Sequence, residues 1–139
     1  MKYAKATVAT LVLGLVMTIG AAGEDRKLDY QVLSTSRTST MEKELNEAAA
    51  SGYRFLKVTS SPNVLGGKEL VAVTVRDRGG VDPDVRQYRV LTARGTSNLE
   101  KKLKEAAKEG YEYRDQTTMP NVFGGKDVVV ILERKEPKE

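Results

Sequence analysis

Apolar and polar positions along this chain follow a pattern that occurs twice. Tyr30-Gln31-Val32-Leu33 and Tyr88-Arg89-Val90-Leu91 read as the centres of strands over 29–35 and 87–93, rich in aromatic and β-branched residues. Apolar or small residues then fall at 41, 45, 48 and 49, and again at 99, 103, 106 and 107. That i, i+4, i+7, i+8 spacing predicts an amphipathic helix in each half. Ser39-Thr40-Met41-Glu42 and Ser97-Asn98-Leu99-Glu100 fit the S-x-x-E capping box, with Ser39 and Ser97 as the expected N-caps. Gly52 and Gly110 stand where a left-handed residue would end the helix, and Tyr53 and Tyr111 follow, placed to pack back on its last turn.

A second strand is expected over 53–59 and 111–117. Simple alternation turns Tyr53 and Phe55, like Tyr111 and Tyr113, toward the helix. It leaves Leu56 and Val58, or Arg114 and Gln116, on the other face. The third strand, Leu70-Val71-Ala72-Val73-Thr74-Val75 or Val128-Val129-Val130-Ile131-Leu132, is almost continuously apolar. Such a run suits a strand covered on both faces or central in its sheet. It is therefore placed between strands one and two, which would be parallel and joined by a right-handed helical crossover.

The two halves align without a gap at an offset of 58, and 22 of the 47 positions from Tyr30 to Arg76 are identical to their partners. Chance gives only a few, so the reading is a duplication. The expected fold class is α+β, with two tandem βαββ repeats forming one pseudo-twofold two-layer domain. Repeat 1 covers 24–78, a linker 79–84, repeat 2 85–135 and a tail 136–139. One unit of ~50 residues has a marginal core alone, which is why the halves are expected to pack together. The tail from Arg134 onward reads as solvated and frayed.

Residues 1–23 read as a signal peptide: Lys2 and Lys5, an apolar run from Ala6 to Ile19, then Gly20-Ala21-Ala22-Gly23 before charged residues. The expectation is export to the periplasm or beyond, with cleavage after Ala22 or Gly23 and no stable membrane insertion afterwards. Removing Lys2 and Lys5 leaves 21 basic against 19 acidic residues, in no single-sign stripe. A nucleic-acid partner is not expected from such a surface.

The chain has no His and no Cys. Disulfides, thiol nucleophiles, the common Ser-His and Cys-His arrangements and the usual zinc, copper and haem ligands are thereby excluded. No cofactor is expected. Asp77, Asp82 and Asp84 lack EF-hand spacing and a following bidentate Glu.

Strand, helix ending in Ala-Ala-x-x-Gly-aromatic, strand, loop and apolar strand is the pattern around Gly52-Tyr53 and Gly110-Tyr111. It resembles a widespread bacterial family of short βαββ domains of unknown function. The resemblance implies a fold and no activity, so it carries over no catalytic residue.

Comparison of the halves singles out one segment. Residues 54–58 and 112–116 share no identity, whereas Pro62-Asn63-Val64-Leu65-Gly66-Gly67-Lys68 and Pro120-Asn121-Val122-Phe123-Gly124-Gly125-Lys126 share six of seven. On a structural reading Pro and Asn shape a turn, Gly-Gly supplies positive φ, and Val64 and Val122 plug the end of the core. On a functional reading the binding candidates are Asn63, Leu65, Lys68, Asn121, Phe123 and Lys126. Leu65 and Phe123 would be exposed anchors for a protein partner. Alternatively, successive Gly amides and Lys68 or Lys126 would hold an anion. The function expected is a non-catalytic exported module binding a protein or envelope component. The alternative is a small anion-binding protein or enzyme using these loops.

Overall fold

The structure, a computed structural model, describes residues 27–62, 67–80 and 84–137. The expected signal peptide, the linker residues Val81 to Pro83, and Asn63, Val64, Leu65 and Gly66 lie outside them. The chain is mixed α+β. Its elements are β1 (Leu28–Thr35), α1 (Thr38–Ala50), β2 (Arg54–Pro62), β3 (Lys68–Asp77), β4 (Asp84–Ala93), α2 (Thr96–Lys108), β5 (Glu112–Pro120) and β6 (Lys126–Pro137). They form two antiparallel three-stranded sheets, ordered β1-β3-β2 and β4-β6-β5. The apolar third strand is central in each, as its composition predicts. The outer strands both run antiparallel to it and so are parallel to each other.

Each helix ends as its sequence predicts. Gly52 and Gly110 have φ of 92° and 89°. The Tyr53 amide bonds the Ala48 carbonyl and the Gly52 amide bonds the Ala49 carbonyl, a Schellman pairing repeated at Tyr111 and Gly110. Arg76 and Arg134 complete it. Arg76 donates to the Ser51 carbonyl at 3.1 Å and lies 4.6 Å over the Tyr53 ring. Arg134 donates to the Glu109 carbonyl at 3.0 Å and lies 4.8 Å over the Tyr111 ring. A cation bonding the last carbonyls of a helix is favourably placed in the helix dipole.

The helix starts differ from expectation. The first helical bonds run from the Met41 amide to the Arg37 carbonyl and from the Leu99 amide to the Gly95 carbonyl. Arg37 and Gly95 are therefore the N-caps, with no side-chain cap bond. Ser39 and Ser97 lie inside the first turn, exposed. Nor does Glu42 reach back to a cap, because its carboxylate accepts the Val90 amide of β4 at 2.9 Å.

The second strand departs from simple alternation. A register shift between Phe55 and Lys57 inserts an extra residue, so Phe55 opposes Thr74 and Val58 opposes Ala72 on the same, helix-facing side. Phe55 and Val58 are buried and Leu56 is exposed. The same shift falls between Tyr113 and Asp115 in β5. A bulge reverses the parity of every residue after it. The C-terminal tail is also more ordered than expected, since β6 pairs with β4 as far as Pro137 opposite Asp84.

The packing of the halves corrects the pseudo-twofold, two-layer expectation. Met41, Leu45 and Ala48 of α1 are buried with Leu33, Leu70, Ala72, Phe55 and Val58 of the first sheet. The same cluster contains Tyr88, Val129 and Ile131 of the second sheet. Val130 and Leu132, on that sheet's other face, pack with Ala106, Leu99 and Leu103 of α2. α1 thus packs on the first sheet and along the edge of β4, the two sheets meet directly where Tyr88 touches Phe55, and α2 covers the other face of the second sheet. A twofold would have buried Tyr30 and Val32 as it buries Tyr88. They are instead 62% and 61% exposed. β2 and β5 lie side by side and run the same way, with Val58 meeting Asp115 and Ser60 meeting Thr117.

Candidate functional site

In the second copy of the retained segment, β5 ends at Pro120, β6 begins at Lys126, and these two residues face each other in the ladder. Between them the Asn121 carboxamide builds the turn. Its oxygen accepts the amides of Phe123 at 2.9 Å and Gly125 at 3.1 Å. Its nitrogen donates to Asp127 at 3.1 Å, and its main-chain amide bonds the Gly125 carbonyl at 2.9 Å. A short side-chain amide that replaces main-chain partners in this way is why Asn favours turns. Gly124 carries the positive φ, 86°. The glycine that needs its freedom is therefore the first of the pair.

This geometry separates the readings of the loop. Val122 does not plug the core, because it is 90% exposed, and Phe123 beside it is 78% exposed. A residue at a two-strand tip has no sheet face beneath it to enter. Arg94 steadies the ring from one side, 4.9 Å from its centroid, while its own Nε lies 3.2 Å from Asp127. Two adjacent apolar side chains are thus held out in water on a hydrogen-bonded frame. The acceptor oxygen of Asn121 is fully used inside the turn, so Asn121 supports the frame rather than a ligand. Lys126 and Lys68 are both exposed. Lys68 opens β3 opposite Pro62, the same register position as Lys126. Asn63 and Leu65 lie outside the described residues.

A second constellation escaped the sequence reading. Glu133 is 5% exposed and is the hub of a charged cluster at the boundary between the halves. It accepts the Tyr88 hydroxyl at 2.6 Å and Arg114 at 2.7 and 2.9 Å, and Arg86 Nε lies 3.3 Å away. The Tyr88 oxygen in turn accepts the Phe55 amide at 2.8 Å, a main-chain donor on the outer edge of β2. Burial and the bond to Glu133 push the Tyr88 phenol well above its ordinary range. Every member has a partner, and the cluster joins β2, β4, β5 and β6. Its geometry is that of a fully satisfied buried network, which fixes one packing of the two halves. One signal was available: Glu133 follows an apolar run at the position that Val75 holds in the first half.

Among the described residues, no group of three acidic side chains is placed to hold a metal ion, and no helix is long and apolar enough to cross a membrane. Compared with family models, with curated proteins and with solved structures, the chain finds no match.

Proposed function

We propose that this chain is a non-catalytic, exported binding module that presents the β5–β6 turn to a protein or envelope component. The observation that carries this is the pairing of a rigid frame with exposed apolar side chains. Asn121 ties the turn at three points while Val122 and Phe123 stand in solvent. Exposed aromatic anchors on a preorganised loop lose little entropy on binding and are the residues that dominate contact energies. The anion-binding or enzymatic alternative has less support, because Asn121 is occupied within the turn. The resemblance to short bacterial βαββ domains goes with the proposal, as does the reading of the halves as a duplication, here packed unequally, with Tyr88 buried and Tyr30 exposed.

The test is capture from the organism's own envelope extract. The purified chain is compared with a Val122→Ser/Phe123→Ser variant and with Lys126→Ala. Saturable capture of one component, lost in the double variant and kept in Lys126→Ala, supports the proposal. Equal capture by the double variant contradicts it.

A further inference from the structure

The two outer strands β1 and β4 occupy equivalent places, but among the described residues only β4 has its open edge covered. In β4 the outward main-chain groups belong to Tyr88 and Val90. Asn46 of α1 exchanges two hydrogen bonds with Tyr88, at 2.8 and 2.9 Å, and Glu42 accepts the Val90 amide. The register of β1 on β3 matches that of β4 on β6, with Tyr30 opposite Val75 as Tyr88 is opposite Glu133. The Lys27 carbonyl accepts the Arg78 amide, so odd-numbered residues of β1 turn inward and the main-chain groups of Tyr30 and Val32 turn outward. Among the described residues nothing covers them. β1 is eight residues long and carries neither a proline nor a bulge.

The surroundings of this edge give the chemistry of its occupant. On the side facing α1, a groove runs past Gln31 and Leu33, and Glu44 and Glu47 of α1 line it. No Lys or Arg is among its lining residues. On the other side stand the exposed side chains of Tyr30 and Val32. A strand added to this edge would place alternate side chains on the two sides. Those opposite Tyr30 and Val32 would meet apolar surface, and those between them would meet the two carboxylates.

We infer that the open edge of β1 is a strand-addition site for an extended partner peptide in which apolar and basic residues alternate. The main chain of Tyr30 and Val32 supplies the pairing, and Glu44 and Glu47 select lysine or arginine at every second position. A second copy of the chain is a poorer occupant. Two β1 strands paired about a twofold would bring Glu44 and Glu47 toward their own copies, and like charges oppose association. The site is separate from the β5–β6 turn and does not depend on it.

The test uses a blocked heptapeptide of alternating valine and lysine, titrated into the isotopically labelled chain. Amide shifts are expected to concentrate on residues 30 to 33. Affinity should fall about tenfold or more in Glu44→Lys/Glu47→Lys, whose positions on the helix flank leave the fold intact. A valine–glutamate peptide, and a valine–lysine peptide N-methylated at every valine, should not bind. Equal binding of the N-methylated peptide, shifts centred on Phe123, or no binding at millimolar peptide would each overturn the inference. So would a concentration-dependent dimer that Val32→Pro makes monomeric.

Discussion

The carboxamide of Asn46 and the main chain of Tyr88 exchange two hydrogen bonds, 2.8 Å and 2.9 Å long, across 42 positions of sequence. One side chain thereby makes both bonds that a neighbouring strand would make. Asn46→Ala would leave the amide and carbonyl of Tyr88 unpaired in a partly buried interface. The expected loss is about 1–3 kcal/mol in chemical denaturation. Asn46→Lys, which copies the residue found at 104, is expected to cost as much, because an ammonium cannot accept the Tyr88 amide.

Tyr88 itself carries a pH signature. The folded state holds its proton more tightly than the unfolded chain does, through burial and the bond to Glu133. Its contribution is therefore constant below the ordinary tyrosine value of 10.0 and is lost as pH climbs above it. The slope attributable to this one group is about 1.4 kcal/mol per pH unit. Tyr88→Phe should remove that part of the alkaline slope. It should also cost about 1–3 kcal/mol at neutral pH, since the Phe55 amide and Glu133 both lose a partner. Urea titrations of both forms between pH 8 and 11 check this.

At Gly52 and Gly110 a β-carbon is opposed twice: by the positive φ, and by the Cδ of Arg76 or Arg134 at 3.2 Å. Gly52→Ala and Gly110→Ala should each destabilise by about 1–2 kcal/mol. In the β5–β6 turn the strain belongs to Gly124→Ala. Gly125→Ala should matter less, since its nearest neighbour would be Asn121 at 3.4 Å. Ser39→Ala and Ser97→Ala, at exposed positions inside the helices, should stay within about 0.5 kcal/mol of the parent.

These cases show where the sequence was readable. The central place of β3 and β6 followed from their apolar runs, and the helix stops followed from glycine's unique access to positive φ. Both properties belong to single residues or short windows. The bulge after Phe55 was not readable, because Leu56 and Val58 are apolar on either parity and only the ladder decides which is buried. The first capping box misled because Glu42 has a better partner in Val90, and that partner exists only once the second half has docked. Asn46 and Glu133 act across the interface, where sequence spacing carries no signal. In the candidate site, comparison of the halves found the turn but not its division of labour. Asn121 was grouped with Phe123 and Lys126 as a ligand contact, although its bonds are spent on the turn itself.

Asn121→Ala separates frame from contact. The turn loses both amide acceptor bonds, so the amides of Phe123 and Gly125 should exchange faster with solvent. Stability should fall by about 0.5–2 kcal/mol, since the site is at the surface. Capture of the envelope partner should weaken even though Val122 and Phe123 remain. Unchanged capture would mean that the turn contributes apolar side chains and no preorganisation.

The unequal packing of the halves is tested most directly by hydrogen exchange at four main-chain amides. Tyr88 and Val90 donate to Asn46 and Glu42 under α1, while Tyr30 and Val32 face outward from the open edge of β1. Exchange at Tyr88 and Val90 should be slowed to near the rate of global unfolding. Tyr30 and Val32 should exchange at close to the rate of an unprotected peptide. Equal protection of the two pairs would contradict the account, because it would mean that both edges are covered and that the halves are related by the twofold after all.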